Sequence, residues 1–352
     1  MAGTHPGAFS KILIRATNWV GDAVMSLPAI RAIHVSFPQA EIAVLARPWV
    51  ADLYAREDAV HRVIPYTGEP GWRDLGTKFH AAQSLRSEGF DCAILLQNAF
   101  EAAAIVWLAG IPTRIGYDRD GRGPLLTHAI AVPRPGEIPR HERFYYLELL
   151  KRAHLIQDSP EPDTIKLAGA EEARLAGERG FTARNVVGPV VGVSPGAAYG
   201  RAKQWLPERF SEAAAELARS SGGTVAVFGS AAERKLCGDV VAAIVQTGVA
   251  AKNLAGETSL RQFIELAAAC RVFLTNDSGA MHIASALGVP TAAVFGSTDD
   301  TTTGPSGCSV RVVREPVECS PCLLRECPID HRCMTRVSAA RVAQAARELL
   351  GS

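Results

Sequence analysis

The chain has 352 residues, more than one hydrophobic core ordinarily organises, so two domains are expected. Hydrophobic residues make up 47% and charged residues 21%, which excludes a disordered or fibrous chain, and a formal net charge of +1 gives no global field for nucleic acid. No apolar run is long enough to span a bilayer, and Met1 to Gly7 lacks the basic-then-apolar order of a secretion signal, so a cytoplasmic protein is expected.

Short β-branched runs alternate with segments of helical period, the rhythm of a parallel α/β fold. In the first half, strands are predicted at residues 11–14, 42–45, 63–64, 92–96 and 113–117, with helices after Asp22, over 100–108 and over 141–155. The polar, proline-bearing stretch from Gln157 to Asp163 and an acidic helix near Glu171 precede the domain boundary. The rhythm then restarts: strands at 190–193, 224–228, 272–274 and 291–295, with helices over 207–218, 232–244, 260–269 and 278–287. This divides the chain into domains 1–175 and 186–335, with a cleft between them and a last helix over 338–350 that packs back on the first.

Chemistry is expected where strands end and helices begin, because ligands of parallel sheets collect at the carboxyl edge. Asn276-Asp277-Ser278-Gly279-Ala280-Met281-His282 is such a junction, and the backbone N–H groups of Ser278 and Gly279 suit an anion at a helix N-terminus. The same residue types also serve as helix N-caps, and His282 as an interior histidine. Ser194 opens a glycine-bearing turn that reaches Lys203, an ammonium for a leaving diphosphate or a solvated loop lysine. Glu233, after Phe228-Gly229-Ser230, either accepts from a ribose diol or favours its helix dipole. Asp22 follows the first strand and reads as an N-cap or as a general base.

No Gly-x-Gly-x-x-Gly or Gly-x4-Gly-Lys-Ser/Thr pattern occurs, which argues against a dinucleotide oxidoreductase or a P-loop NTPase. Asp118-Arg119-Asp120 imitates a metal clamp but lies in a charged, glycine-rich loop. Arg114, Arg119, Arg122, Arg134, Arg140, His141 and Arg143 form a basic set suited to an anionic acceptor. Cys319, Cys322, Cys327 and Cys333 have the spacing C-x2-C-x4-C-x5-C, which suits a structural zinc, with unligated thiols as the alternative.

Together Trp19-Val20-Gly21-Asp22-Ala23-Val24-Met25-Ser26, Gly110-Ile111-Pro112-Thr113-Arg114, Phe228-Gly229-Ser230, Asn253-Leu254-Ala255-Gly256-Glu257-Thr258 and the Asn276–His282 segment resemble the ADP-heptose:lipopolysaccharide heptosyltransferases, glycosyltransferase family nine, and its type II branch most. The resemblance implies a GT-B fold of two Rossmann-like domains with parallel sheets, acceptor on the first and ADP-heptose on the second, and inversion at the anomeric carbon with no cofactor required. It implies Asp22 as base, with Lys203, Ser278 and Gly279, assisted by Ser194, stabilising the departing ADP. Glu233 would hold the ribose, Asp277 and His282 would border the sugar and diphosphate, and Leu254, Gly256, Glu257 and Thr258 would line the adenine. Arg114, Arg119, Arg122, His141 and Arg143 would face a lipid-anchored, anionic inner-core acceptor, with peripheral contact on the cytoplasmic face of the inner membrane. The rival expectations are a related transferase with another acceptor, a GT-B hexosamine epimerase, and a nucleotide-sugar-binding module without turnover.

Overall fold

The computed structural model of the chain describes residues 9–69, 71, 74–157 and 164–351. The Met1 to Gly7 segment and most of the Gln157 to Asp163 stretch lie outside the described residues. The chain divides into two units, Met1–Pro162 and Asp163–Ser352.

The first unit runs β1 (Lys11–Arg15), α1 (Val20–Ser36), β2 (Glu41–Ala46), α2 (Pro48–Tyr54), β3 (Arg62–Pro65), α3 (Leu75–Glu88), β4 (Cys92–Leu95), α4 (Phe100–Leu108), β5 (Thr113–Tyr117), β6 (His128–Ile130) and α5 (Glu142–Arg152). Its six strands are parallel in the order β3-β2-β1-β4-β5-β6. The central strands β1 and β4 are almost wholly buried, which is why they read as unbroken apolar runs and not as alternating ones.

The second unit runs α6 (Ala170–Thr182), β7 (Val190–Ser194), α7 (Pro207–Ser221), β8 (Thr224–Val227), α8 (Arg234–Gln246), β9 (Ala251–Asn253), α9 (Leu260–Ala268), β10 (Val272–Asn276), α10 (Gly279–Ala286), β11 (Thr291–Phe295), α11 (Asp300–Thr303), β12 (Val310–Arg314), α12 (Arg332–Thr335) and α13 (Ala339–Gly351). Its strand order, β12-β11-β10-β7-β8-β9, repeats that of the first unit, and all its pairs are parallel. Both units are Rossmann-like, as the α/β reading expected, and in each the order reverses between the first and fourth strands, the point where such sheets hold ligands.

The division falls before α6 and not near residues 175–186, because Ala173, Gly177 and Phe181 of α6 face α9. Helix α13, expected to return to the first domain, buries Ala339, Val342, Ala343 and Ala346 in the core of the second unit with Trp205, Phe210 and Leu217. The short strands β6, β9 and β12 were not evident in the sequence; each lies at a sheet edge, where only part of the strand is buried.

Candidate functional site

In the second unit β7 and β10 pair with Thr275 opposite Ser194, which sets the turn after Ser194 beside Asn276 and Asp277. The loop from Pro195 to Gln204 has no strand partner, and Asn276 supplies one. Its Oδ1 accepts from Trp205 N–H at 2.9 Å, and its Nδ2 donates to the Pro195 carbonyl at 2.7 Å. Held this way, the loop places Lys203 Nζ 2.6 Å from Asp277 Oδ2, an oxygen that also accepts from Thr298 Oγ1 at 2.6 Å. The Asp277 side chain is 5% exposed and that of Lys203 13%, so the pair sits at low dielectric, where its charges act strongly.

Ser278 precedes α10 with extended backbone, yet its side chain makes no capping bond and pairs instead with Thr275 Oγ1 at 3.1 Å. The simple N-cap reading of Ser278 therefore does not hold, and the helix end carries its positive dipole without a side-chain cap. His282, one turn on, is buried. Glu233 closes a capping box, with Oε2 accepting from Ser230 N–H and Oγ, both at 2.8 Å. Its other oxygen comes so near Gly196 that a Cβ there would stand 1.8 Å away, so Glu233 belongs to the same sheet edge as the lysine loop.

Gly256 adopts φ +72° and passes within a Cβ length of Ala231, which only glycine permits without strain. Glu257 pairs with Arg234 at 3.0 Å. Leu254 is fully buried with Phe228 and Phe273, so its side chain packs the core and does not line a ligand surface. Thr258 precedes Ser259, the N-cap of α9.

In the first unit Asp22 lies in the first turn of α1, which packs against α5. Its charge reaches Glu142 at the start of α5, whose carboxyl is held above its ordinary value chiefly by burial and then by Asp22. His141 caps α5, its Nδ1 accepting from Arg143 N–H at 3.2 Å, and the Arg143 guanidinium lies over the Phe144 ring. Arg119 donates to Tyr145 Oη at 3.4 Å and contributes an opposing charge at Glu142. The structure thus gathers Asp22, Glu142, Arg119 and the start of α5. A cavity of about 740 Å³ opens beside Asn18 and Gln97, lined by Leu75, Phe79, Phe100 and Leu108.

Two of the expected acceptor arginines are placed differently. Arg122 is fully buried and donates from Nε to the Tyr117 carbonyl and from an Nη to Asn98 Oδ1, each at 2.8 Å; burial pushes its pKa down to about 10. It is an internal brace. Arg114 stands at the opening of β5, the edge opposite the loops after β1 and β4, and donates from Nε to the Leu125 carbonyl at 2.7 Å. The structural zinc expected at the four clustered cysteines finds no support in the structure. Among the described residues no group of three or more His, Cys, Asp or Glu is close enough to hold a metal ion. Cys319 and Cys322 are exposed on the chain after β12, whereas Cys333 is buried in α12.

Sequence reasoning missed Thr298 and Glu142. Thr298 had a signal, a Ser-Thr pair one glycine beyond a buried strand; Glu142 looked like any acidic residue in a first helical turn.

The sequence pattern of Glycosyltransferase family 9 (heptosyltransferase) matches residues 79–332. The chain is 33% identical over 311 residues to lipopolysaccharide heptosyltransferase 2 of Salmonella typhimurium, covering 86% of this chain and 88% of that one. The E. coli ADP-heptose lps heptosyltransferase II structure matches with a TM-score of 0.80 at 30% identity, over 97% of this chain and 98% of that one. A glycosyl transferase family 9 structure from Veillonella parvula matches with a TM-score of 0.84 over 99% of each chain; at 18% identity it speaks for the fold alone. No helix among the described residues is long and apolar enough to cross a membrane.

Proposed function

The chain belongs to glycosyltransferase family 9, the heptosyltransferases, and on that premise we propose that it moves L-glycero-D-manno-heptose from ADP-heptose onto a heptosyl-Kdo-lipid A inner core, with inversion. The observation that carries this reading is Lys203 fixed against Asp277 and Thr298 at the reversal point of the second sheet, beside the uncapped start of α10.

The acceptor hydroxyl oxygen attacks the anomeric carbon, the bond from that carbon to the diphosphate oxygen breaks with its electron pair going to ADP, and Asp22 takes the hydroxyl proton. Lys203 and the N–H groups at Ser278 and Gly279 answer the charge that grows on the leaving diphosphate. A lysine and a helix end thereby do what a metal ion does elsewhere, so no cofactor enters the step. Ser194 borders the phosphates, Glu233 takes the ribose, Asp277 and His282 adjoin the sugar, and the 256–258 turn adjoins the adenine.

On the first unit Arg119, His141 and Arg143 hold the anionic acceptor. The apolar cavity beside Asn18 supports an acceptor carrying a lipid anchor, and with it peripheral contact at the membrane surface.

The test offers ADP-heptose with Kdo-lipid A and with heptosyl-Kdo-lipid A, and adds UDP- and GDP-sugars as competing donors. Transfer to the heptosylated acceptor from ADP-heptose is expected, together with loss of at least about a hundredfold in kcat for Asp22→Asn at unchanged ADP affinity. Transfer only to the acceptor lacking heptose would overturn the acceptor assignment, and normal turnover by Asp22→Asn would remove it as base.

A further inference from the structure

The cysteine-bearing segment 319–333 has no part in the step above, yet it lies against the lysine loop. Ala202 N–H donates to the Arg325 carbonyl at 2.9 Å, Tyr199 Oη donates to the Leu323 carbonyl at 2.8 Å, and His331 Nε2 donates to the Ala202 carbonyl at 3.0 Å. A Cβ on Gly200 would stand 2.3 Å from the Arg325 carbonyl oxygen, so the two backbones meet as closely as glycine permits. The segment is also tied to the end of β11, where Leu323 N–H donates to the Ser297 carbonyl and Ser320 Oγ to the Gly296 carbonyl, both at 2.7 Å. Ser297 adjoins Thr298, which bonds Asp277, so the backbone at Arg325 is fixed relative to both members of the Lys203–Asp277 pair.

Two cations lean on one ring. Lys203 Nζ lies 4.9 Å and Arg325 Cζ 5.1 Å from the Tyr199 ring centroid, distances at which the ring face attracts each. Their charges are not equally committed. Lys203 is shared with Asp277, so its ammonium answers only part of a diphosphate's charge. Arg325 is exposed, and among the described residues no carboxylate lies within ion-pair distance of it. A planar guanidinium and an ammonium drawn to one ring suit two linked phosphates, one receiving a forked contact and the other a point charge.

We propose that Arg325 is a second cation of the donor site, contacting the diphosphate of the nucleotide sugar, with Tyr199 as the platform that aligns it beside Lys203. This rests on the reading of the 194–282 region as the donor site. The cysteine-bearing segment is thereby the mount for a ligand-binding side chain, and its ties to Gly200, Ala202 and Ser297 are what fix that mount.

The test is calorimetric titration of the full chain with ADP and with AMP, for the wild type, Arg325→Ala, Arg325→Lys and Lys203→Ala. Loss of a charge-assisted phosphate contact is expected to weaken ADP binding about tenfold in Arg325→Ala and AMP binding less than about threefold, with Arg325→Lys recovering most of the loss. Equal losses for ADP and AMP, with lysine no better than alanine, would show that Arg325 only supports the loop and would overturn the assignment. So would wild-type ADP binding in Arg325→Ala beside weakened binding in Lys203→Ala. If both alanine variants bind ADP as the wild type does, the donor-site reading itself fails.

Discussion

Asp277 Oδ2 accepts two short hydrogen bonds, one from an ammonium and one from a hydroxyl, in a place with almost no solvent. Removing the lysine leaves a buried carboxylate with one neutral donor, so Lys203→Ala is expected to lower stability by about 3 kcal/mol in urea denaturation, and Lys203→Ala with Asp277→Asn to recover much of it. Equal stability of the two variants would show that the ion pair does not govern the site. Glu142 gives a test by pH. Burial, and then the Asp22 charge, raise its pKa, so the folded state binds that proton more tightly than the unfolded state does. Its contribution is favourable at low pH and is lost as pH rises through the raised value. Glu142→Gln should therefore raise Tm near pH 7 and leave it nearly unchanged near pH 4; thermal melts at the two values check this. Asp277 could be singled out in the sequence because it directly follows an apolar strand at the carboxyl edge, whereas Lys203 stands well beyond the end of β7 and was marked only by the glycine-bearing turn that leads to it. Arg122 was not, because nothing in a run of arginines says which one turns inward to meet the Tyr117 carbonyl.

Helices α6 and α9 meet backbone to backbone at Gly177, where a Cβ would stand 1.9 Å from the Glu265 carbonyl oxygen. Gly177→Ala gains about 1 kcal/mol of helix propensity but must separate the helices, which costs about 1–3 kcal/mol, so a net loss is expected. A lower urea midpoint with an unchanged slope would confirm it; a rise in stability would mean that the helices part without cost. At this scale the central strands and the longer helices could be read from periodicity, since burial on both faces leaves apolar runs. Helix α3 was missed: its outward side carries the exposed Leu75 and Phe79, so apolar residues are not confined to the core-facing stripe. Glu233 shows two uses in one residue, since the capping box and the position beside Gly196 involve different oxygens of one carboxylate.

Each unit carries the same strand order and encloses its own apolar clusters, one built around Leu13, Leu45 and Leu95 and the other around Val193, Trp205 and Phe210. Because the nucleotide is assigned to the second unit, ADP at about a hundredfold its Kd should add about 2.7 kcal/mol to that unit's stability. Scanning calorimetry is expected to show the melting of the second unit moving upward with ADP while that of the first stays in place. A shift of the first unit alone would reverse the assignment. The repeated α/β rhythm made the two-unit plan readable from sequence alone. The boundary was harder, because the period of α6 announces an amphipathic helix without saying which sheet its apolar side will cover.

Among the described residues the Asn276 amide grips main-chain atoms, at Pro195 and Gly196 on one side and at Trp205 on the other. The segment between those two posts is consequently held by its ends, while Gly196, Tyr199, Gly200 and Lys203 inside it keep contacts of their own, so descent can rewrite only the outward Ala198 and Arg201. A laboratory graft from a relative that keeps those four residues has its splice points already marked.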